Sequence, residues 1–396
     1  MKQIGSTLIF ALFCLTHLYG QENDSLNLDQ NEDIKEKFQF GGYIKYMNIN
    51  QFASIDSIYT DNLIHNRLNF KYYATPSWTL SLELRNRLFW GETQKLNPFF
   101  GSQIGHDNGE VDLSWNLIQK HSVLLNTTID RANIEFNKGK WNVRAGRQRI
   151  NWGINMAWNP NDLFNAYNFV DFDYQERPGT DALRIQYFNK PMSQIEVAIK
   201  PAGHIDRSIM AARYLFNKKG YDFQFIAGHY LNDIAAGFGW AGNIKKVGFK
   251  GEASYFHPKD NFTDTSGVLV SSISFDYTFD RGIYINFSGF YNSNGSKSGN
   301  FTQALSSYST LSAKNLLPTQ FAAFANIGGA FTPIFSGGMS VMYLPDIQGL
   351  FLIPTLAYSI KENWDLDLVS QLLFAEYPTT FTNVSNAIFI RLRWSF

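Results

Sequence analysis

The sequence predicts an all-β fold: a transmembrane, antiparallel up-and-down barrel of about 18 strands, with 16 as the fallback. Three observations predict it. Large apolar residues recur at every second position from Phe38 to the end of the chain. Tight turns alternate with long insertions between these stretches. The last ten residues, AIFIRLRWSF at 387–396, form an alternating strand that stops on an aromatic.

Composition agrees with this class and excludes others. The chain has 396 residues with 34 acidic and 34 basic side chains, so no bulk charge points to nucleic acid or to a strongly charged partner. Aromatics make up 16 % of residues, including 35 Phe and 20 Tyr, yet mean hydropathy is slightly negative at −0.22. Apolar residues are therefore spread along the chain without forming the long blocks of a helical membrane protein.

The one long apolar run comes first. Lys2 precedes IGSTLIFALFCL, and the small residue Gly20 stands before Gln21, an order that reads as a secretory signal peptide over residues 1–20. Cys14, the chain's only cysteine, lies within it, and Phe13 occupies the place where a lipid-modified cysteine needs a small neighbour. Disulfides and thiol chemistry are then absent from the exported part. Residues 21–37, QENDSLNLDQNEDIKEK, are polar, acidic and free of aromatics, as expected of a flexible periplasmic leader. From Phe38 the texture does not change, which gives one barrel domain over 38–396.

Strands follow from the alternation. In WTLSLELRNRLFW (78–90), Leu80, Leu82, Leu84 and Leu88 share one face, and Thr79, Ser81, Glu83, Arg85 and Arg87 the other. WDLDLVSQLLF (364–374) repeats the pattern, with Trp364, Leu366 and Leu368 set against Asp365, Asp367 and Gln371. Further strands are expected near 38–53, 61–75, 122–137, 140–150, 179–190, 192–200, 205–217, 219–232, 234–245, 246–258, 266–280, 282–294, 318–331, 333–345 and 350–361. TPS at 75–77, NKGK at 137–140, NKP at 189–191, NKKG at 217–220, KK at 245–246, FDRG at 279–282, FTP at 331–333 and KEN at 361–363 read as the short periplasmic turns. Insertions near 91–121, 151–178, 258–265 and 294–317 read as external loops.

Hydrocarbon explains the alternation. Every backbone N–H and C=O there needs a partner within the protein, so a sheet can span only by closing on itself, with one face of each strand against lipid and the other against the lumen. Outer-membrane lipid is thus an expected partner, and the location is the outer membrane of a Gram-negative bacterium. Residues 388–396 put their apolar side outward and Arg391 and Arg393 inward. Trp78, Trp90, Trp141, Trp364 and Trp394 near strand ends fit interfacial girdles. Trp394 and the terminal Phe396 resemble the C-terminal signal read by the barrel-insertion machinery, which makes that machinery a second expected partner.

Inward charges are the candidate selectivity residues. The same parity places Lys45, Arg67, Lys71, Arg85, Arg87, Arg131, Arg184, Arg391 and Arg393 inside, with Glu83, Glu135, Glu196, Asp365 and Asp367 among them. A basic wall opposed by acids sets a transverse field that favours anionic solutes. The alternative is that these groups pair into ladders that fill the barrel.

The most distinctive run starts at Gly146: GRQRINWGINMAWNPNDLFNAYNFVDFDYQERPGTDALRIQYF. A strand with Arg147 and Arg149 leads through Trp152 into Asn159-Pro160-Asn161-Asp162, whose Asx side chains supply helix-start chemistry, and an aromatic-rich return ends at Glu176-Arg177-Pro178-Gly179. Arg147, Arg149, Trp152, Asn159 and Asp162 mark a candidate constriction loop. Over about residues 141–190 the run resembles a signature of porin-like outer-membrane proteins of the Bacteroidota type, and more loosely the alginate-export and phosphate-selective channel families. The resemblance implies a solute channel, and no ligand position of those families transfers.

Catalysis is not expected, nor is a cofactor. GHDNGEVD at 105–112 superficially resembles the His-x-Ser-Asn-Gly pattern of outer-membrane phospholipases, but Asn108 stands at the serine position. Asp107, Asn108, Glu110 and Asp112 then read as a polar loop, with Ca²⁺ held by oxygens as its sharper alternative. His65, His121, His204, His229 and His257 show no paired metal-ligand spacing, and no nucleotide-binding glycine motif occurs. Two functions follow: passive diffusion of small hydrophilic solutes, anions among them, or a closed structural barrel that anchors surface polysaccharide or another envelope component.

Overall fold

In the computed structural model, the residues that can be described are 37–54, 57–107, 109–167, 173, 176–260, 262–298, 311–376 and 380–396. The expected signal peptide and nearly all of the leader, residues 1–36, lie outside them. The described chain folds into a closed antiparallel barrel of 18 strands.

In chain order the strands are β1 (Phe38–Ser54), β2 (Ser57–Thr75), β3 (Trp78–Gly91), β4 (Ser114–Lys120), β5 (Val123–Lys138), β6 (Trp141–Gln148), β7 (Thr180–Lys190), β8 (Ser193–Lys200), β9 (Ile209–Lys218) and β10 (Tyr221–Tyr230). They continue with β11 (Asp233–Ile244), β12 (Val247–Pro258), β13 (Val268–Thr278), β14 (Tyr284–Asn292), β15 (Phe321–Thr332), β16 (Phe335–Leu344), β17 (Gly349–Lys361), β18 (Trp364–Glu376) and β19 (Phe381–Ser395). Each barrel strand pairs with its neighbours, and β19 closes the sheet against β1 from Tyr43↔Ser395 to Phe52↔Asn386. Mutual hydrogen bonds between Gly42 and Phe396, at 2.9 and 3.0 Å, seal that seam at the end where the short turns lie.

β4 is the nineteenth strand and the exception. It falls inside the 91–121 insertion expected to be a loop, after two short helices, α1 (Glu92–Leu96) and α2 (Phe100–Gly105). Among the described residues its ladder is with the outer half of β5 alone, Ser114↔Thr128 to Lys120↔Val123. β6 is only eight residues long and meets β5 lower down, from Lys138↔Trp141 to Ala132↔Arg147. Beyond Gln148 the chain leaves the wall, and β4 takes up the β5 edge that β6 has vacated. The sheet stays satisfied where its main chain departs.

Burial runs inside out. Ile390 is 45 % exposed whereas its neighbour Arg391 is 4 % exposed. Lys45 and Arg67 are each 1 % exposed, while Ile44, Tyr46, Leu80 and Leu82 stand on the surface. No aqueous fold gains from covering lysine and arginine while baring leucine, but a barrel in lipid does. Aromatic pairs sit near the strand ends: Trp78 with Phe136, Trp141 with Tyr187, and Trp364 with Trp394.

One alternation is broken. In β5, Leu125, Thr127 and Ile129 face outward and then Ala132, Ile134 and Phe136 do, because a bulge opposite Glu83 and Leu84 turns both Asp130 and Arg131 inward. The short turns use the left-handed region at Gly139, Lys219, Gly220, Lys245 and Asn363, as two-residue hairpins require. Gly146, at φ 111°, is needed for another reason: a Cβ there would lie 2.3 Å from the Ala132 carbonyl oxygen.

Candidate functional site

The described parts of 151–178 lie within the barrel and touch opposite walls. The outgoing limb crosses to β8 and β10–β15. Trp152 donates its indole N–H to Glu196 Oε1 at 2.8 Å, and Gln224 donates to the Trp152 carbonyl at 2.8 Å. Glu252 on β12 accepts three backbone N–H bonds: Ile154 and Asn155 at Oε1 (2.9 and 3.0 Å) and Asn161 at Oε2 (2.9 Å). Asn155 donates to Ser272 Oγ, which donates in turn to the Trp158 carbonyl. The Trp158 ring packs on Phe290 and Phe324 of β14 and β15.

The returning limb rests on the closure seam. Asp173 meets Lys45 Nζ at 2.9 Å, His65 Nδ1 at 2.7 Å and Arg391 Nη1 at 3.5 Å, on β1, β2 and β19 respectively. Burial opposes ionisation of Asp173, but Lys45, His65 and Arg391 hold its carboxyl well below the usual carboxylate range. Glu176 is likewise held down against burial, chiefly by Arg67 and Lys45. Arg131 donates to the carbonyls of Glu176 and Arg177 at 2.7 and 2.8 Å.

Asn159-Pro160-Asn161-Asp162 was expected to start a helix and instead makes one turn, closed by Asp162 N–H to the Asn159 carbonyl at 3.1 Å. The wall is the reason. Glu252 accepts the Asn161 N–H, while the Asn161 side chain donates to the Phe238 carbonyl and accepts from Ser254 Oγ, so capping groups turn outward to the barrel. Asn159 donates to the Tyr167 hydroxyl at 2.8 Å within the loop.

Most inward charges come together in pairs. Arg67 binds Asp130 and Glu83, and Arg85 Nε lies 3.4 Å from Asp130. Arg391 binds Asp367 at 2.9 Å, Arg144 binds Glu135 at 2.7 Å, and Arg213 binds Glu196 at 2.7 Å. Arg87 donates to Asn126 and to the Ile104 carbonyl, and Arg184 is buried. Lys71 and Asp365 keep the inward parity, half-buried, with no ion pair among the described residues. Arg393 is half-buried, donates to Ser395 Oγ at 3.0 Å and lies over the Tyr43 ring. At the strand's end Trp394 and Phe396 stand outward, their rings in contact.

Arg147 and Arg149 differ. Arg147 braces the departure point, held by Asp107 at 2.6 Å and Asp181 at 2.8 Å. Arg149 is half-buried at the loop's first step, and its Nε has no hydrogen-bond partner among the described residues. It lies in the field of Arg177, whose guanidinium is pushed down by burial and then by Arg149. Burial pushes the nearby Asp162 carboxyl up to about 7, against the pull of Arg149, Arg177 and Arg213. The loop's entry is thus a cationic step with one poorly ionised acid beneath it.

The Ca²⁺ alternative fits poorly. Asp107 is engaged by Arg147 and by the N–H groups of Gly109 and Leu113, Asp112 by Ser114 N–H, and Glu110 by Gly203 N–H. Among the described residues no cluster of three metal-ligating side chains occurs. Asn108 lies outside them.

Sequence reading missed Asp130, Asp173 and Glu252. The phase shift between Ile129 and Ala132 was the available signal for Asp130. Parity alone puts Glu252 inward, but nothing local tells it that a loop about a hundred residues earlier will present three N–H groups to it.

No family model and no curated protein sequence matches the chain. Solved structures do. The chain is similar to OpdQ of Pseudomonas aeruginosa, with a TM-score of 0.55 and 9 % identity over 91 % of this chain and 99 % of that one. It is similar to OccAB4 of Acinetobacter baumannii at a TM-score of 0.58 and 8 % identity, over 92 % and 100 % of the two chains. OccAB2 of the same organism gives 0.57 and 9 %, over 91 % and 98 %. At these identities the likeness is one of fold, and it extends over nearly the whole of both chains: a porin-like barrel.

Proposed function

We propose that this chain is an outer-membrane channel through which small hydrophilic solutes, anions preferentially, diffuse passively. One observation carries the reading: a loop anchored to opposite walls crosses a barrel whose polar face is inside, so anything passing must pass that loop. The preference for anions rests on Arg149, Arg177 and Arg393, which lack a carboxylate ion pair among the described residues, whereas Arg67, Arg147 and Arg391 are neutralised where they stand. Location in a Gram-negative outer membrane follows from the apolar exterior, and recognition of Trp394 and Phe396 by the insertion machinery belongs to the same reading. So does the resemblance of 141–190 to Bacteroidota-type porin-like proteins, and to alginate-export and phosphate-selective channels, since the loop is what would make such a pore selective. The function is transport, without chemistry.

Pairing of so many inward charges favours a second reading, a closed barrel that anchors surface polysaccharide. Planar-bilayer recording decides between them. Steady single-channel currents with an anion-favouring reversal potential are expected, and a silent, correctly folded barrel would leave the anchoring role.

A further inference from the structure

The outward face of the barrel carries one polar feature out of keeping with lipid. Asn48, Asn50, Asn62, Asn66 and Asn86 occupy outward positions on the adjacent strands β1, β2 and β3. By the same parity the outward positions of β8 to β17, among the described residues, carry no asparagine. The outer three, Asn48, Asn50 and Asn62, lie at or beyond the level of Trp90, the register partner of Asn62, whereas Asn66 and Asn86 lie deeper. Asn66 lies between Ile64 and Leu68, and its register partner Asn86 between Leu84 and Leu88 with Trp90 beyond; Thr127, opposite Asn86, lies between Leu125 and Ile129. Large aliphatic side chains thus bracket Asn66 and Asn86 on both sides, within the apolar band.

Two hydrogen-bonded chains run through these amides. Thr127 donates to Asn86 Oδ1 at 2.8 Å, Asn86 donates to Asn66 Oδ1 at 3.1 Å, and Asn66 donates to the Tyr43 carbonyl at 3.1 Å. Farther out, Asn62 Oδ1 accepts from Tyr46 at 2.7 Å and from Asn48 at 3.1 Å, Asn50 donates to Asn48 at 2.6 Å, and Thr60 donates to Asn50 at 3.0 Å. A primary amide has two N–H donors. These bonds use one donor on Asn66 and one on Asn86, so each of these two amides on the lipid-side face keeps a second N–H for which hydrocarbon offers no acceptor.

Two possible occupants fail on chemistry. Acyl chains cannot accept the free N–H groups. Lipid phosphates would call for cations, and the outward positions of β1, β2 and β3 hold no charged residue among those described. An occupant must be neutral, apolar at its borders, and able both to donate and to accept at one depth.

We infer that the outward amide row of β1–β3 is the contact face for a second copy of this chain, forming a two-fold dimer in the membrane. The inference rests on the exterior facing lipid but not on the barrel conducting. Copies inserted in one orientation are related by an axis normal to the membrane, so each residue meets its counterpart at the same depth. A row of amides is complementary to itself across such an axis, each supplying donors and acceptors, as polar residues do between membrane helices. A ring of three or more would instead set the row against a different strand face, and β8 to β17 offer it no amides.

Two experiments on the full chain test this, with Cys14→Ser introduced to remove the native thiol. Oxidation of membranes carrying Leu88→Cys is expected to give a disulfide-linked dimer, and the same treatment of Leu356→Cys, outward on β17, is expected to give none. Native mass spectrometry in mild detergent is expected to show two chains for the parent and one for the Asn66→Leu/Asn86→Leu variant, with heat-modifiable gel migration kept in both. A parent of one or three chains, a leucine variant still dimeric, or cross-linking at residue 356 in place of 88 would overturn the inference. If the leucine variant loses heat-modifiability, the cysteine pair decides alone. A dimer that stays silent in a bilayer would remove the channel and leave this interface standing.

Discussion

Trp152 and Glu196 join the crossing loop to the far wall through one 2.8 Å bond from indole Nε1 to carboxylate Oε1. Both groups are buried, and Glu196 also accepts from Arg213 and Gln186. Trp152→Phe keeps an aromatic ring beside Phe164 but deletes that bond and leaves unfilled the space of the larger indole. It is expected to lower stability by at least about 1–3 kcal/mol, the range for removing one partner of a buried hydrogen bond, with the lost packing adding to it. The temperature at which the unboiled band shifts on a gel measures this, and an unchanged value would mean the bond contributes nothing.

Glu252 should matter more to the loop than to the barrel. Glu252→Gln retains an oxygen for Ile154 and Asn155 but turns an NH₂ toward the Asn161 N–H; Glu252→Ala abandons all three donors. Current noise in single-channel traces is expected to rise from parent to glutamine to alanine as the loop loosens. Equal noise in all three would show that other contacts suffice to seat it.

Asp162 makes the loop sensitive to pH. Its folded pKa, about 7, lies above the unfolded carboxylate value, so the native state holds a proton that the unfolded state has lost between about pH 4 and pH 7. Its contribution to stability is therefore complete below that window and is lost as pH rises through about 7. Conductance or noise is expected to change with a midpoint near pH 7. Asp162→Asn should fix the acid-side behaviour at all pH values, and a midpoint that survives it would belong to another group.

Arg393→Glu and Arg391→Glu should behave differently although the two share a face. Arg393 has Ser395 and the Tyr43 ring for company, so reversing its charge is expected to move the reversal potential toward cations in a folded barrel. Arg391 lies between Asp367 and Asp173, and a third carboxylate there would leave several buried acids without a counter-ion. Poor folding is expected. Unchanged selectivity for Arg393→Glu would show that it does not line the path.

Gly146→Ala is expected to destabilise the barrel by about 1–3 kcal/mol, because φ is 111° and the added methyl would press on the Ala132 carbonyl. A thermal gel-shift assay reads the loss, and parent-like stability would mean that the wall yields there at little cost.

Much of the barrel was legible because a strand between lipid and lumen must alternate. The period of two located all 18 barrel strands, and turn residues such as Gly139, Lys245 and Asn363 located the short connections. What stayed hidden was pairing at a distance. Nothing around Ser114–Lys120 says that β6 will stop early and leave an edge of β5 to be covered. Nothing around Asn159-Pro160-Asn161 says that a carboxylate on β12 will take the N–H groups a helix would have used. Arg391 could be placed inside by parity, but its neutralisation by Asp173 depends on a loop whose path only three dimensions reveal.

β4 changes what engineers can do with the outside of this molecule. Trimming surface loops is the usual way to enlarge a pore or graft an epitope, and the stretch between Glu92 and Lys120 looks like spare material. Here it is a repair plate: cut it away, and bare peptide groups of β5 would face acyl chains just where the polypeptide dives inward. Grafts belong elsewhere on the rim.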